Sequence, residues 1–192
     1  MVLFKEIPQG LKPYFKPYKK LFNNAGYKHF QTLVTGLIVN DNKTLQEIND
    51  AISEKDQSSL NRFVNSDWNR DAVNNVRLQQ ARQKILRDEK GILVIDDTLL
   101  HKTGKKMEKA NYHRSGVTKK IEWGHCMINS VLASNTSTPL YPVTEDMYVR
   151  KEDCDDIPFR TKRSIALSQV DYARTHSISF DIVVVDAGFQ DS

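Results

Sequence analysis

The chain has 192 residues, enough for one substantial domain or a domain with a helical appendage. Hydrophobic residues make up 39% and charged residues 27%, which excludes disorder by composition, and a net charge of +4 is compatible with a nucleic-acid partner without requiring one. Two cysteines, Cys126 and Cys154, with no CxxC pair, argue against a disulfide framework or a cysteine-rich zinc site, and no apolar run approaches the length of a membrane span or signal peptide. A cytoplasmic protein with no membrane partner is expected.

Residues 1–89 read as a helical region. Lys12 to Phe22 is basic and aromatic, and a helix is expected over Tyr27–Val39, although LVTGLIV within it is ambiguous between helix and strand. In NDNKTLQEINDAIS, Asn42 or Thr44 can cap a helix that carries Leu45, Ile48 and Ile52 on one face. A short helix over Ser58–Val64 follows, then a longer one with Leu78, Ala81 and Ile85 on one face, stopping at Gly91.

The texture changes over residues 90–192. GILVIDDT is a short apolar run of the kind that forms a strand buried on both faces. A basic segment follows, HKTGKKMEKANYHRSGVTKKIEWG, with seven Lys or Arg against two Glu. HCMINSVLAS and PLYPVT read as two strands joined by the turn NTSTP. A polar loop leads to a helix over Thr161–His176 with Ala166, Val170 and Ala173 on one face, and FDIVVVDAG is a last apolar strand. The expected architecture is α/β: a helical N-terminal region, then a mixed sheet in the order strand, strand, strand, helix, strand.

Both apolar strands end in carboxylates, Asp96-Asp97 and Asp186. If the first three strands form an antiparallel meander, a right-handed helical crossover returns the last strand parallel to the first and brings those carboxylates to one sheet edge, where α/β sheets bind ligands. Clustered carboxylates repel unless a cation lies between them, and all-oxygen ligation suits Mg²⁺ or Mn²⁺. Paired ions of this kind serve phosphoryl transfer. Adjacent strand residues face opposite sides, so periodicity alone does not choose between Asp96 and Asp97. Strand-end aspartates also arise simply because strands end at solvent, and the topology fits a haloacid dehalogenase-like phosphatase or a phosphoacceptor receiver domain as well.

The order of motifs narrows these alternatives. LVIDDT, KTGKKMEKANYHRSG, KKIEWGH, TPLYPVTEDMY, PFRTKRSIALSQV and VVVDAGF together resemble insertion-sequence transposases of the DDE superfamily, whose core is RNase H-like. SLNRFVNSDWN resembles the helical lead-in to that core. The resemblance implies Mg²⁺-dependent cleavage of transposon ends and strand transfer into target DNA, with no small-molecule cofactor, in the nucleoid-bearing cytoplasm. Matched to the family's Asp-Thr pair, Asp97 is the first catalytic, metal-binding residue, with Asp96 in reserve, and Asp186 is the second. The family's third ligand, a Glu on a downstream helix, has no counterpart, because only AGFQDS follows Asp186. A chain cut short before that ligand is therefore expected, and an inactive remnant that only binds DNA is the alternative reading. A homodimer is left open.

Lys102, Lys105, Lys106, Lys109, His113, Arg114, Lys119 and Lys120 of the basic segment are the candidate contacts to double-stranded DNA, through phosphate neutralisation. The competing reading of that segment is a solvated hairpin. The Lys12–Lys20 cluster suits either an amphipathic helix with aromatics turned inward or a stacking surface for DNA, and residues 27–66 could hold a helix-turn-helix. His125-Cys126 lacks zinc-ligand spacing, and Trp68 and Trp123 read as core or interface anchors.

Overall fold

The computed structural model describes residues 6–52, 57–85, 91–133, 140–155 and 157–189. The expected helix stop before Gly91 and the turn NTSTP lie outside these residues. The chain divides into two compact units, Met1–Gln80 and Ala81–Ser192.

The first unit is helical. Pro13 and Pro17 fall in the first turn of successive short helices, where a missing N–H costs nothing. After a 3-10 turn at Gln9–Leu11, they divide the basic-aromatic stretch into α1 (Lys12–Phe15) and a 3-10 helix at Lys16–Leu21. Phe15 and Tyr18 are buried while Tyr14, Lys16, Lys19 and Lys20 are exposed, so the aromatics of this stretch turn inward only in part. Asn23 accepts a hydrogen bond from the Gly26 amide (2.8 Å) and opens α2 (Asn24–Val39), three residues earlier than the periodicity predicts. LVTGLIV is helical within it. Thr44 accepts from the Glu47 amide (3.3 Å) ahead of α3 (Leu45–Ile52). The two helices meet where Gly36 faces Ile48, and a Cβ at Gly36 would overlap that side chain. α4 (Gln57–Val64) and α5 (Arg70–Ile85) follow, the last residues of α5 belonging to the second unit. Phe15, Tyr18, Phe30, Ile48, Leu60, Phe63 and Val76 form the core, bordered by Trp68 stacked on Phe63 at 6.0 Å. Leu78 and Ala81 are buried on α5 as expected, whereas the Ile85 side chain is outside the described set.

The second unit is a five-stranded mixed sheet: β1 (Gly91–His101), β2 (Asn111–Arg114), β3 (Ile121–Ala133), β4 (Tyr141–Tyr148) and β5 (Phe180–Val185). β1, β3 and β4 form the antiparallel meander, and α6 (Lys162–Thr175) crosses over to return β5 parallel to β1. This is a partial RNase H-like arrangement, as expected. The short strand β2, which the sequence reading left inside the basic segment, pairs with the first residues of β3. One sheet face carries Leu93, Ile95, Ile128 and Leu132, all buried, and α6 contributes Ile165, Ala166, Gln169 and Ala173 to that core. Gln169 ties the two layers by donating from Nε2 to the Ile128 carbonyl (2.8 Å).

Burial on both faces, expected of GILVIDDT, is not what the described residues show, and the last apolar strand is exposed as well. β1 alternates buried and half-buried positions up to Ile95. β5 leaves Ile182, Val183, Val184 and Val185 exposed. The physical reason is position: β5 is the last strand in the sheet order, with β1 as its only strand neighbour among the described residues.

Candidate active site

Strand register sets the site. β1 and β5 pair in parallel from Gly91↔Phe180 to the rung Ile95↔Val185, where β5 stops. Asp96 and Asp97 follow that rung on β1, and Asp186 follows it on the other chain segment, at the start of the 3-10 turn Ala187–Phe189. The apolar run GILVI predicts a strand ending at the aspartates, but β1 continues to His101 because β3 pairs with it from Ile92↔Ala133 down to His101↔Gly124. Gly124 permits this close approach, since a Cβ there would meet the Leu100 carbonyl. The Asp96-Asp97 pair therefore lies inside a strand, at the notch left where β5 ends.

Pleating separates the pair. Asp97 follows Leu93 and Ile95 on the face that α6 covers, opposite Ile128 on β3. Asp96 faces the other way, is exposed, and accepts the Asp97 amide at Oδ1 (2.8 Å). Asp97 Oδ2 accepts a hydrogen bond from Lys162 Nζ and lies 3.9 Å from Cys126 Sγ. Both partners escaped the sequence reading. Lys162 stands 65 positions away in an unremarkable TKRS segment, and nothing in the spacing of Cys126 points to Asp97. Thr161 places Lys162 by capping α6, its Oγ1 accepting the Ser164 amide (3.1 Å). Burial lowers the Lys162 pKa, but the Asp97 hydrogen bond and the neighbouring negative charge outweigh it and the net shift is upward. Burial raises the Cys126 thiol, which stays protonated and unreactive at neutral pH. His125, on the opposite face of β3 from Cys126, bonds through Nε2 to the Glu108 carbonyl (2.8 Å), so the two do not act as a ligand pair.

Asp186 is exposed. Among the described residues, no group of three or more His, Cys, Asp or Glu side chains is arranged to hold a metal ion. The donor set fits a hard cation nonetheless. The groups beside the notch are carboxylates, and Mg²⁺ is commonly bound by one or two carboxylates with water and substrate phosphate completing its shell. The Asp97 carboxylate is already met by a cation, the Lys162 ammonium.

The basic segment divides. Lys105 and Lys106 are exposed in the turn after β1, Arg114 is exposed on β2, and Lys119 and Lys120 are exposed at the β2–β3 turn. Lys119 adopts a left-handed φ of 60° there. Lys102 is half-buried, with its amide bonded to the Trp123 carbonyl (3.0 Å). Lys109 Nζ donates to the Asp153 carbonyl (3.0 Å). His113 turns inward: it is buried and packs edge-on to Tyr148 at 6.1 Å. Trp123 donates from Nε1 to the Gly104 carbonyl (2.8 Å) and packs on Tyr112, anchoring the segment.

Burial, with Arg150 and Lys162 nearby, lowers the His113 pKa. The unfolded chain then takes up a proton that the folded one refuses. Stability from this group is complete above about pH 6.5 and is lost as pH falls through the lowered folded value. The melting temperature is expected to fall on acidification across that window, and His113→Phe is expected to flatten that part of the profile. An unchanged slope in thermal melts of the variant would rule the account out.

A search of curated proteins finds no match for this chain. A family model described as DDE superfamily endonuclease matches residues 17–192. No helix among the described residues is long and apolar enough to cross a membrane. The meander, the crossover returning a parallel strand beside the first, and a family match reaching from the helical unit through the whole sheet agree: the chain belongs to the DDE superfamily of endonucleases, a transposase-like family acting on DNA.

Proposed function

We propose that this chain is a transposase polypeptide that cleaves phosphodiester bonds at transposon ends and transfers the cut strand into target DNA, using Mg²⁺ or Mn²⁺ held by Asp97 and Asp186. The observation that carries the reading is the rung Ile95↔Val185, after which two parallel neighbours both run into aspartate. A bound divalent ion would lower the pKa of an attacking water or 3′-hydroxyl and neutralise the leaving oxygen. Asp97 presents its carboxylate on the α6 side of the sheet, and Asp186 supplies the second carboxylate from the turn after β5. Asp96 is the reserve for Asp97, disfavoured because it turns away and binds its neighbour's amide.

Lys105, Lys106, Arg114, Lys119 and Lys120 would neutralise phosphates of double-stranded DNA, with Lys102 and Lys109 at the same segment's base; His113 contributes packing instead. The helical region 1–89 would add further DNA contact to a catalytic region over 90–192. Incubating the full chain with supercoiled plasmid carrying transposon ends tests this. Nicked product should appear with Mg²⁺ or Mn²⁺ and disappear with a chelator. DNA binding without nicking under any divalent ion would instead support a chain that only binds DNA. Turnover of a small phosphomonoester with no DNA affinity would overturn both.

A further inference from the structure

Lys162 breaks a local rule. It is the first residue of α6, followed by Arg163, with no acidic residue in that turn. The positive end of a helix dipole disfavours cations there. Residues that violate local preference mark places where another interaction dominates. Here that interaction is Asp97: the pair is partly buried, with side-chain exposures of 32% and 35%, and the ammonium also lies 5.5 Å from the Tyr148 ring centre. Lys162 and Cys126 both address Oδ2, and no partner for Oδ1 is seen among the described residues.

We propose that Lys162 is the resident counter-cation of Asp97, holding Oδ2 while the site lacks metal, giving it up when a divalent ion enters, and then pairing with a phosphate oxygen of the DNA. The inference rests on the reading of Asp97 as a metal ligand. Entry of a dication at Oδ1 sets two positive centres against one carboxylate, and Coulomb repulsion at that range in a partly buried site displaces the mobile one. The lysine stem is flexible enough to follow, and its ammonium is a compact phosphate partner. Metal and lysine thus compete when DNA is absent and cooperate when it is present.

Mn²⁺ binding to the full chain, followed by the loss of the free-ion electron paramagnetic resonance signal, separates the possibilities. Lys162→Met is expected to bind Mn²⁺ about tenfold more tightly than the wild type, a typical coupling between sites, and Asp97→Asn to lose that binding. Unchanged or weaker Mn²⁺ affinity in Lys162→Met, with wild-type binding still dependent on Asp97, would overturn the proposal and leave the metal site standing. No Asp97-dependent binding in either protein would overturn both. Fluorescence anisotropy of a short labelled duplex, with Ca²⁺ as the ion, reads the second half. The gain in DNA affinity on adding Ca²⁺ should be smaller in Lys162→Met, and an equal gain would refute the transfer to phosphate. Lys162→Gln repeats both measurements if circular dichroism shows the methionine variant misfolded.

Discussion

Asp97→Asn is expected to abolish metal-dependent nicking of supercoiled DNA, by about a thousandfold or more, which is about 4 kcal/mol of lost transition-state stabilisation. The amide keeps the shape of the side chain and removes the charge that a hard cation needs. Asp186→Asn should fall as far, and the double variant no further, because groups that act as one unit are not additive. Asp96→Asn should change the rate by less than about tenfold, because its side chain leaves from the opposite face and already binds the Asp97 amide. Rates measured under single-turnover conditions check all four. A collapse in Asp96→Asn with activity kept in Asp97→Asn would reverse the assignment. The fold should survive Asp97→Asn, since a partly exposed ion pair contributes no more than about 1 kcal/mol.

Ile128→Ala is expected to lower unfolding free energy by about 2–5 kcal/mol, read from the midpoint of a denaturant titration with its slope unchanged. Ile128 is fully buried on β3, between β1 and β4, and its carbonyl holds the buried Gln169 of α6. Truncation leaves a cavity under the helix that cannot collapse without moving the sheet. A loss of that size is a large fraction of the stability of an ordinary domain. Ile128 and Asp97 are cross-strand partners on one rung, so the two substitutions should separate cleanly. One ends the chemistry with the fold intact, and the other loosens the fold around intact chemistry. A loss under about 1 kcal/mol in Ile128→Ala would show that the α6-sheet layer is not where the stability of this unit resides.

The sequence by itself determined most of the elements and their order, the short strand β2 excepted. Apolar runs at GILVI and FDIVVV, the capping candidates Asn42 and Thr44 and the 3.6-residue periodicity of α3 are local properties, written within a few residues of where they act. They were enough to anticipate the meander, the crossover and the parallel return of β5 beside β1. Position in the sheet was not legible in the same way. FDIVVV is as apolar as a strand buried on both faces, yet it is the last strand in the sheet order, and that depends on what packs beside it. The length of β1 beyond Asp97 also escaped, because it follows from ten residues of pairing with β3 across a turn-rich insertion. Parity was undecidable from DDT alone. It became readable only once α6 covered one sheet face and put Asp97 on that side with Leu93 and Ile95. His113 turned inward and Lys162 reached Asp97 for the same reason: local pattern fixes which backbone forms, whereas the neighbour of a side chain is set by chain segments dozens of residues away, and only tertiary packing brings those together.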